Sequence, residues 1–344
     1  LLIIVGSVFN TIASERSIML GRFILGMGIG INTAIIPTFL REISPNDMRG
    51  KIVGLNDISI GLGTFLSYLF ELGLPVPNAS GKYENLDDGW WRLMFAFPIA
   101  LSVIRSVAMS YSFQIESPLY LHVNGQDAEC KEVLKKIYRE DLVNDQFNQL
   151  EIETSHFKNQ QSVSISDLLG EEYRKAFFLC IFLVLMQKLV GIDNVQVYAD
   201  YDFRRGNDMA NSTSRKLSVV MAALKLGTSF FYSLIVDKFG RKPLFLIGSI
   251  VLSGSLLCIS FFNLSGLVYA KAFCFLVYMV AFSVSMGPIV SIFVPETLPD
   301  KGFNLVLLEN WILSYLMIES YPYLIEIYLG FSGTYLFYTA CSVF

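Results

Sequence analysis

The stretch SPLYLHVNGQDAECKEVLKKIYREDLVNDQFNQLEIETSHFKNQQSVSISDLLGEEY, residues 117–173, is polar, charged and free of long apolar runs. On both sides the sequence turns apolar, in segment after segment. A polar insert of this size between two apolar blocks predicts a cytosolic linker joining two sets of membrane helices. The alternative is a large soluble protein with several buried helices. The apolar segments are too many and too long for it.

Composition points the same way. The chain has 344 residues, of which 53% are hydrophobic, 14% aromatic and only 16% charged, with a mean hydropathy of +0.51. Soluble domains carry about 25% charged residues, so this chain lacks the charge to cover a water-facing surface. Two histidines and five scattered cysteines form neither a metal pattern nor a disulfide framework. A formal net charge of -4 gives no reason to expect nucleic acid. No enzyme motif, cofactor motif or obligate protein partner is indicated. The chain starts inside one apolar run and ends inside another, so the expectation is a piece of a longer protein, with no signal peptide in view.

Working outward from the linker, the apolar segments before it are the tail of one helix at 1–10, then 19–40, 52–72 and 93–113. Gly21, Gly26, Gly28 and Gly30 in the second allow close helix contact. Asp57 inside the third is costly in lipid and points to a polar interior. Arg105 sits well inside the fourth. After the linker come 177–197, 217–236 with Lys225 inside, 244–262, 267–294 interrupted at Gly287-Pro288, the poorer 303–327 with Glu309, Glu319 and Glu326, and 331–344. The stretch DYDFRRGNDMANSTSRK, 200–216, is expected to be a polar loop.

Because helices carry the chain across the bilayer in alternation, an inner linker puts REISPNDMRGK (41–51) and DKFGRK (237–242) inside as well, as the positive-inside rule wants. The sequons at Asn78, Asn211 and Asn263 then fall outside. Asn78 and Asn211 are the expected glycosylation sites, since Asn263 is closer to the membrane. Arg204, Arg205, Arg215 and Lys216 lie on the outer side against the charge rule. REISPNDMRG also has an echo, VPETLPDKG, in the second half. Two copies of a bundle joined by a long inner linker is how a rocking transporter is built.

On these residues the chain resembles the sugar-porter branch of the major facilitator superfamily, and within it the facilitative hexose transporters of animals. Gly21-Arg22 with Gly26, Gly28 and Gly30 is similar to the family's GR-x-x-x-G-x-G-x-G. Pro37-Thr38-Phe39 with Glu42, Pro45, Arg49 and Gly50 resembles its P-x-Y/F-x-x-E-x-x-P-x-x-x-R-G. Trp91-Arg92 and Glu116-Ser117-Pro118 resemble the pair around the sixth helix. Residues 187–198 resemble QQLSGINAVxYY, and 237–242 resemble D/E-R-x-G-R-R. Gly287-Pro288, Glu296, Asn310 and Trp311 match the later motifs.

The resemblance implies an all-α polytopic membrane protein of the major facilitator fold, two helical bundles joined by a cytosolic helical linker and incomplete at both ends. Residues 1–113 would be the N-terminal bundle, helices three to six of the pattern. Residues 114–173 would be the linker. Residues 174–344 would be the C-terminal bundle, helices seven to twelve, the last incomplete. It implies facilitative transport of a hexose such as glucose by alternating access, with a small neutral sugar and the lipid bilayer as partners, in the plasma membrane. Arg22, Glu42, Arg49, Glu116, Asp237, Arg241 and Glu296 match the inner charges that, in the family, pair across the two bundles and part when the inside opens.

At the substrate positions the chain departs from the pattern. Gln187, Asn310 and Trp311 are kept. Lys188 replaces the second glutamine, Asp193 an asparagine, Asp57 a glutamine of the fifth helix and Lys225 an asparagine of the eighth. Ser283 stands for a glutamate and Ser291 for a tryptophan. Amides suit a hexose because they donate and accept without a charge to desolvate. Alternatives stay open: a transporter for a different, charged solute, or a degenerate non-transporting membrane protein. Lys188 and Asp193 lie five apart, about 140° round an ideal helix, so they are not expected to pair. Asp57 for Lys188, or Asp193 for Lys225, are the expected partnerships. A lysine at 188 donates but cannot accept, which predicts weaker hexose uptake than the family pattern, improved by Lys188→Gln.

Overall fold

The computed structural model describes residues 1–45, 48–75, 89–111, 115–162, 164–204 and 211–343, and no strand occurs among them. The chain is a series of helices: α1 Leu2–Asn10, α2 Glu15–Ile43, α3 Arg49–Glu71, α4 Trp90–Tyr111, α5 Pro118–Val123, α6 Asp127–Ile137, α7 Val143–Ser162, α8 Arg174–Leu189, α9 Ile192–Val197, α10 Ala199–Arg204, α11 Asn211–Phe239, α12 Arg241–Leu264, α13 Val268–Val284, α14 Met286–Thr297, α15 Asp300–Tyr323 and α16 Gly330–Val343. Among the described residues, 5 helical runs are long and apolar enough to cross a membrane: α2, α4, α8 with α9, α12, and α13 with α14. The helices α3, α11 and α15 are long as well, but Asp57, Lys225 and Glu309 lie within them.

The helices divide into two compact units, residues 1–56 with 73–159, and residues 57–72 with 160–344. In the first, α1 packs on α2 where a β-carbon at Gly21 would come within 2.7 Å of the Gly6 carbonyl oxygen. Such an approach is open only to glycine. Gly28 likewise faces Ile3, whereas among the described residues a β-carbon at Gly26 or Gly30 would meet nothing within 4 Å beyond its own helix. The expected glycine stripe is therefore half used. Arg105 of α4 donates from Nη1 to the Asn32 amide oxygen on α2 at 3.2 Å. A hydrogen-bond acceptor on the neighbouring helix thus serves it where snorkelling to an end does not.

The same unit holds the helices of the polar stretch. Ser117 caps α5 by accepting from the Tyr120 N–H at 3.3 Å, with Pro118 in the first turn, where its missing N–H costs nothing. Its hydroxyl also donates to the Glu42 carboxylate at the end of α2. Leu121, Cys130, Val133, Leu134, Val143 and Leu150 form a small core of their own. Burial, with the Asp127 carboxylate adding to it, pushes the Cys130 thiol up to about 11.

The second unit has the larger core, with Val190, Phe203, Leu252, Leu256, Phe275, Tyr278, Tyr335 and Tyr338 each without exposed surface. Two of its membrane helices are broken. Between α8 and α9, Gly191 adopts φ +81, and a β-carbon there would meet the Tyr338 ring at 2.5 Å. Between α13 and α14, Ser285 leaves helical geometry (φ -120, ψ -95), just ahead of Gly287-Pro288. A break frees carbonyls at the end of the first half-helix and N–H groups at the start of the second, which lipid cannot satisfy. Here each broken helix also receives a side chain from the other. Gln187 of α8 donates Nε2 to the Met286 carbonyl at 3.0 Å and to that of Gly287 at 3.4 Å. Tyr278 of α13 donates its hydroxyl to the Val190 carbonyl at 3.0 Å.

Candidate functional site

Around the first break the second unit gathers the polar side chains that its apolar spans otherwise lack. Gln187 and Lys188 end α8, both buried at 8% exposure. Asp193, Asn194 and Gln196 follow on α9, Lys225 lies on α11 and Asp57 on α3. Lys188 Nζ meets Asp193 at 3.0 Å and 3.3 Å from its two oxygens. The ideal-helix expectation is thus corrected. The left-handed Gly191 reverses the local winding between the two residues, and five positions apart become face to face. The expectation of improvement by Lys188→Gln meets a cost it did not count, because the change takes the counter-charge from Asp193.

Lys225 donates Nζ to the Gln196 amide oxygen at 2.6 Å and sits in the field of Asp193, Asp57 and Lys188. The expected Lys225–Asp193 ion pair is replaced by an ammonium–amide contact, with the carboxylates a step further away. Asp57, half-buried, lies in the field of Lys225, while Lys188 is taken up by Asp193. Tyr68 of α3 donates its hydroxyl to the Gln196 backbone carbonyl. Asn194 is fully buried and donates to the Tyr338 hydroxyl at 2.6 Å.

The structure thus brings Gln187, Lys188, Asp193, Asp57 and Lys225 into one neighbourhood. Ser283 is buried at 5%, directly before the second break. Ser291 spends its hydroxyl on the Gly287 carbonyl of its own helix at 3.0 Å. On α15, Asn310 is half-buried and Trp311 44% exposed.

Of the inner charges, Arg241 at the start of α12 grips Glu296 near the end of α14 through both guanidinium nitrogens, one contact being 3.0 Å. This pair lies within the second unit. In the first, Glu42 takes the Ser117 hydroxyl, Glu116 accepts from the Ser117 N–H at 3.3 Å, and Arg22 lies over the Phe95 ring at 5.9 Å. The side chains of Arg49 and Asp237 lie outside the described residues, as do Asn78 and the side chain of Asn211. The third sequon asparagine, Asn263, donates to Ser332 at 3.1 Å and accepts from Lys271 at 3.3 Å.

Sequence reasoning missed a second polar cluster. Asp202 was read as part of an exposed loop. It lies instead on α10, fully buried, accepting from Tyr321 and Tyr335 at 2.7 Å each. Lys271, also fully buried, has Nζ 4.9 Å above the Phe331 ring and adds its field to that of Asp202. The available signal was the run of tyrosines at 321, 335 and 338 inside apolar spans, whose hydroxyls need partners when buried. Gln196 and Asn194 were passed over because they fall at the motif's variable and alanine positions.

Comparison with known proteins places this arrangement. The profile of the family described as "Sugar (and other) transporter" matches residues 1–344. Hexose transporter 1 of Plasmodium knowlesi is 29% identical over 323 residues, covering 88% of this chain and 63% of that protein. Plastidic glucose transporter 4 of Arabidopsis thaliana is 29% identical over 338 residues, covering 94% and 59%. The chain thus spans 63% and 59% of the length of these two relatives. The proton:xylose symporter XylE bound to 6-bromo-6-deoxy-D-glucose shares the fold with a TM-score of 0.80 at 21% identity, over 99% of this chain and 76% of that one.

Proposed function

The chain belongs to the sugar (and other) transporter family, the sugar-porter branch of the major facilitator superfamily, and from that premise we propose that it moves a hexose such as glucose across a bilayer by alternating access. The observation that carries the neutral substrate is the closure of Lys188 on Asp193 at 3.0 Å. Two substitutions that would each place a charge at the sugar positions cancel one another. The amides around them, Gln187 and Gln196, stay in place, and such a neighbourhood suits an uncharged polyol better than an ion. The names of the relatives, a hexose transporter and a glucose transporter, support the same reading.

In this reading residues 1–113 and 174–344 are the two bundles and 114–173 the cytosolic linker. Arg22, Glu42, Arg49, Glu116, Asp237, Arg241 and Glu296 form the inner charge layer that biases one conformation. Gln187, Lys188, Asp193, Asp57, Lys225, Ser283, Ser291, Asn310 and Trp311 face the solute. Asn78 and Asn211 carry glycans outside, transport is facilitative, and the plasma membrane is the site of action. Uptake of radiolabelled glucose into proteoliposomes carrying the full-length protein tests the central claim. Saturable uptake that unlabelled glucose competes away is the expected result. No uptake of any hexose, from protein shown to be folded, overturns it.

A further inference from the structure

Four of the substrate-position amides of the family pattern are now Lys188, Asp193, Asp57 and Lys225, and the surviving Gln187 has only its amide oxygen to offer. Its Nε2 hydrogens are committed to the Met286 and Gly287 carbonyls of the broken helix. Asn310 on α15 is the other amide kept on this unit, so a replacement for the amide lost at position 193 has to come from a residue beside it. We propose that Gln196, oriented by Lys225, is the sugar-binding amide that position 193 has lost, an assignment that rests on the hexose reading above.

Gln196 lies three residues after Asp193 on α9, and positions three apart share a helix face. The amide function has moved one turn along the same face. Its orientation is settled by chemistry. An ammonium group can only donate, so the atom 2.6 Å from Lys225 Nζ has to be the amide oxygen. The NH2 group is then turned away from Lys225, and it presents two donors. The Tyr68 hydroxyl holds the Gln196 main chain by its carbonyl, so backbone and side chain are each fixed by one partner. Gln196 is half-buried, which leaves the amide nitrogen within reach of a solute. Lys225 acts as a positioning residue. Its stem fixes the amide, and its charge is balanced by the fields of Asp193 and Asp57.

An NH2 donor and a C=O acceptor read a sugar hydroxyl differently, and deoxy and deoxyfluoro glucoses tell them apart. Fluorine accepts weakly and cannot donate, so a protein donor tolerates the change of hydroxyl to fluorine better than to hydrogen. A protein acceptor loses its contact in both. The experiment is equilibrium binding of D-glucose and its deoxy and deoxyfluoro series, ring position by ring position, to the purified full-length protein by calorimetry. At one ring position the deoxy sugar is expected to bind about tenfold more weakly than glucose, as loss of one hydrogen bond dictates, with the fluoro sugar in between. Gln196→Leu removes that difference at that position alone. Lys225→Met frees the amide to rotate and shrinks the fluorine preference, while Lys225→Arg, still a pure donor, retains it. Glucose binding with an unchanged analogue profile in Gln196→Leu overturns the assignment and leaves the hexose reading standing. A Lys225→Met variant that keeps the wild-type preference overturns the positioning role of Lys225. Failure of the wild-type protein to bind any hexose overturns both the assignment and the reading beneath it.

Discussion

A lysine and an aspartate five residues apart decide how charged the proposed sugar positions are. Lys188 and Asp193 were legible as departures from an amide pattern, but their pairing was not. The estimate of 140° assumes one continuous helix, and the left-handed Gly191 removes that assumption. A lone Lys188→Gln change therefore leaves Asp193 without its partner. The cost is roughly 2 kcal/mol, below the 3–5 of a fully buried pair because Asp193 keeps 19% of its side-chain surface. Lys188→Gln is expected to lower the melting temperature and glucose uptake. Lys188→Gln with Asp193→Asn restores both, since no charge is left alone. Thermal unfolding in detergent and uptake in proteoliposomes check this, and a double variant no better than the single one would refute the pairing. Gln196 was invisible for a different reason. It occupies a position that the motif leaves free, and only its contact with Lys225 gives it meaning.

At the scale of elements, the helices before and after the polar stretch could be placed from hydropathy alone, and the interruption at Gly287-Pro288 could be read directly. The way the two broken helices serve each other could not. The donors Gln187 and Tyr278 lie about a hundred residues from the carbonyls they reach, and no local pattern links them. Asp202 escaped likewise, because a polar string next to an apolar span reads as a loop until the tyrosines of α15 and α16 are seen around it. Tyr278→Phe should cost about 1–3 kcal/mol, the penalty of leaving the Val190 carbonyl at the end of α8 without its donor, and Gln187→Leu about 0.5–1.5 kcal/mol, the worth of a hydrogen bond to carbonyls that keep partners within α14. If the breaks brace each other, the two losses are not independent. A double-mutant cycle on unfolding free energy should then show a coupling of about 0.5 kcal/mol or more. Strict additivity would mean that each break is held separately.

For the whole molecule, the polar stretch read first remains the reference for sidedness. A cysteine at the exposed position 132 of α6 is expected to react with an impermeant maleimide only after cells are permeabilised. Native Cys130, two residues away, should stay silent in both conditions, because it is fully buried and its thiol, pushed up to about 11, stays protonated at neutral pH. Labelling of Glu132→Cys in intact cells would put the stretch outside and invert the topology. The family was legible from motifs spread over the chain, whereas the solute was not, since four of its expected contacts had changed type. The reciprocal bracing of the two breaks has a consequence for the protein's history as well. Gln187 and Tyr278 form one heritable unit. A lineage that loses the glutamine loses the tie from the end of α8 to the start of α14, and its partner break is then held from one side alone. Among descendants of this chain, the two residues should be inherited together or abandoned together, whatever solute each descendant meets.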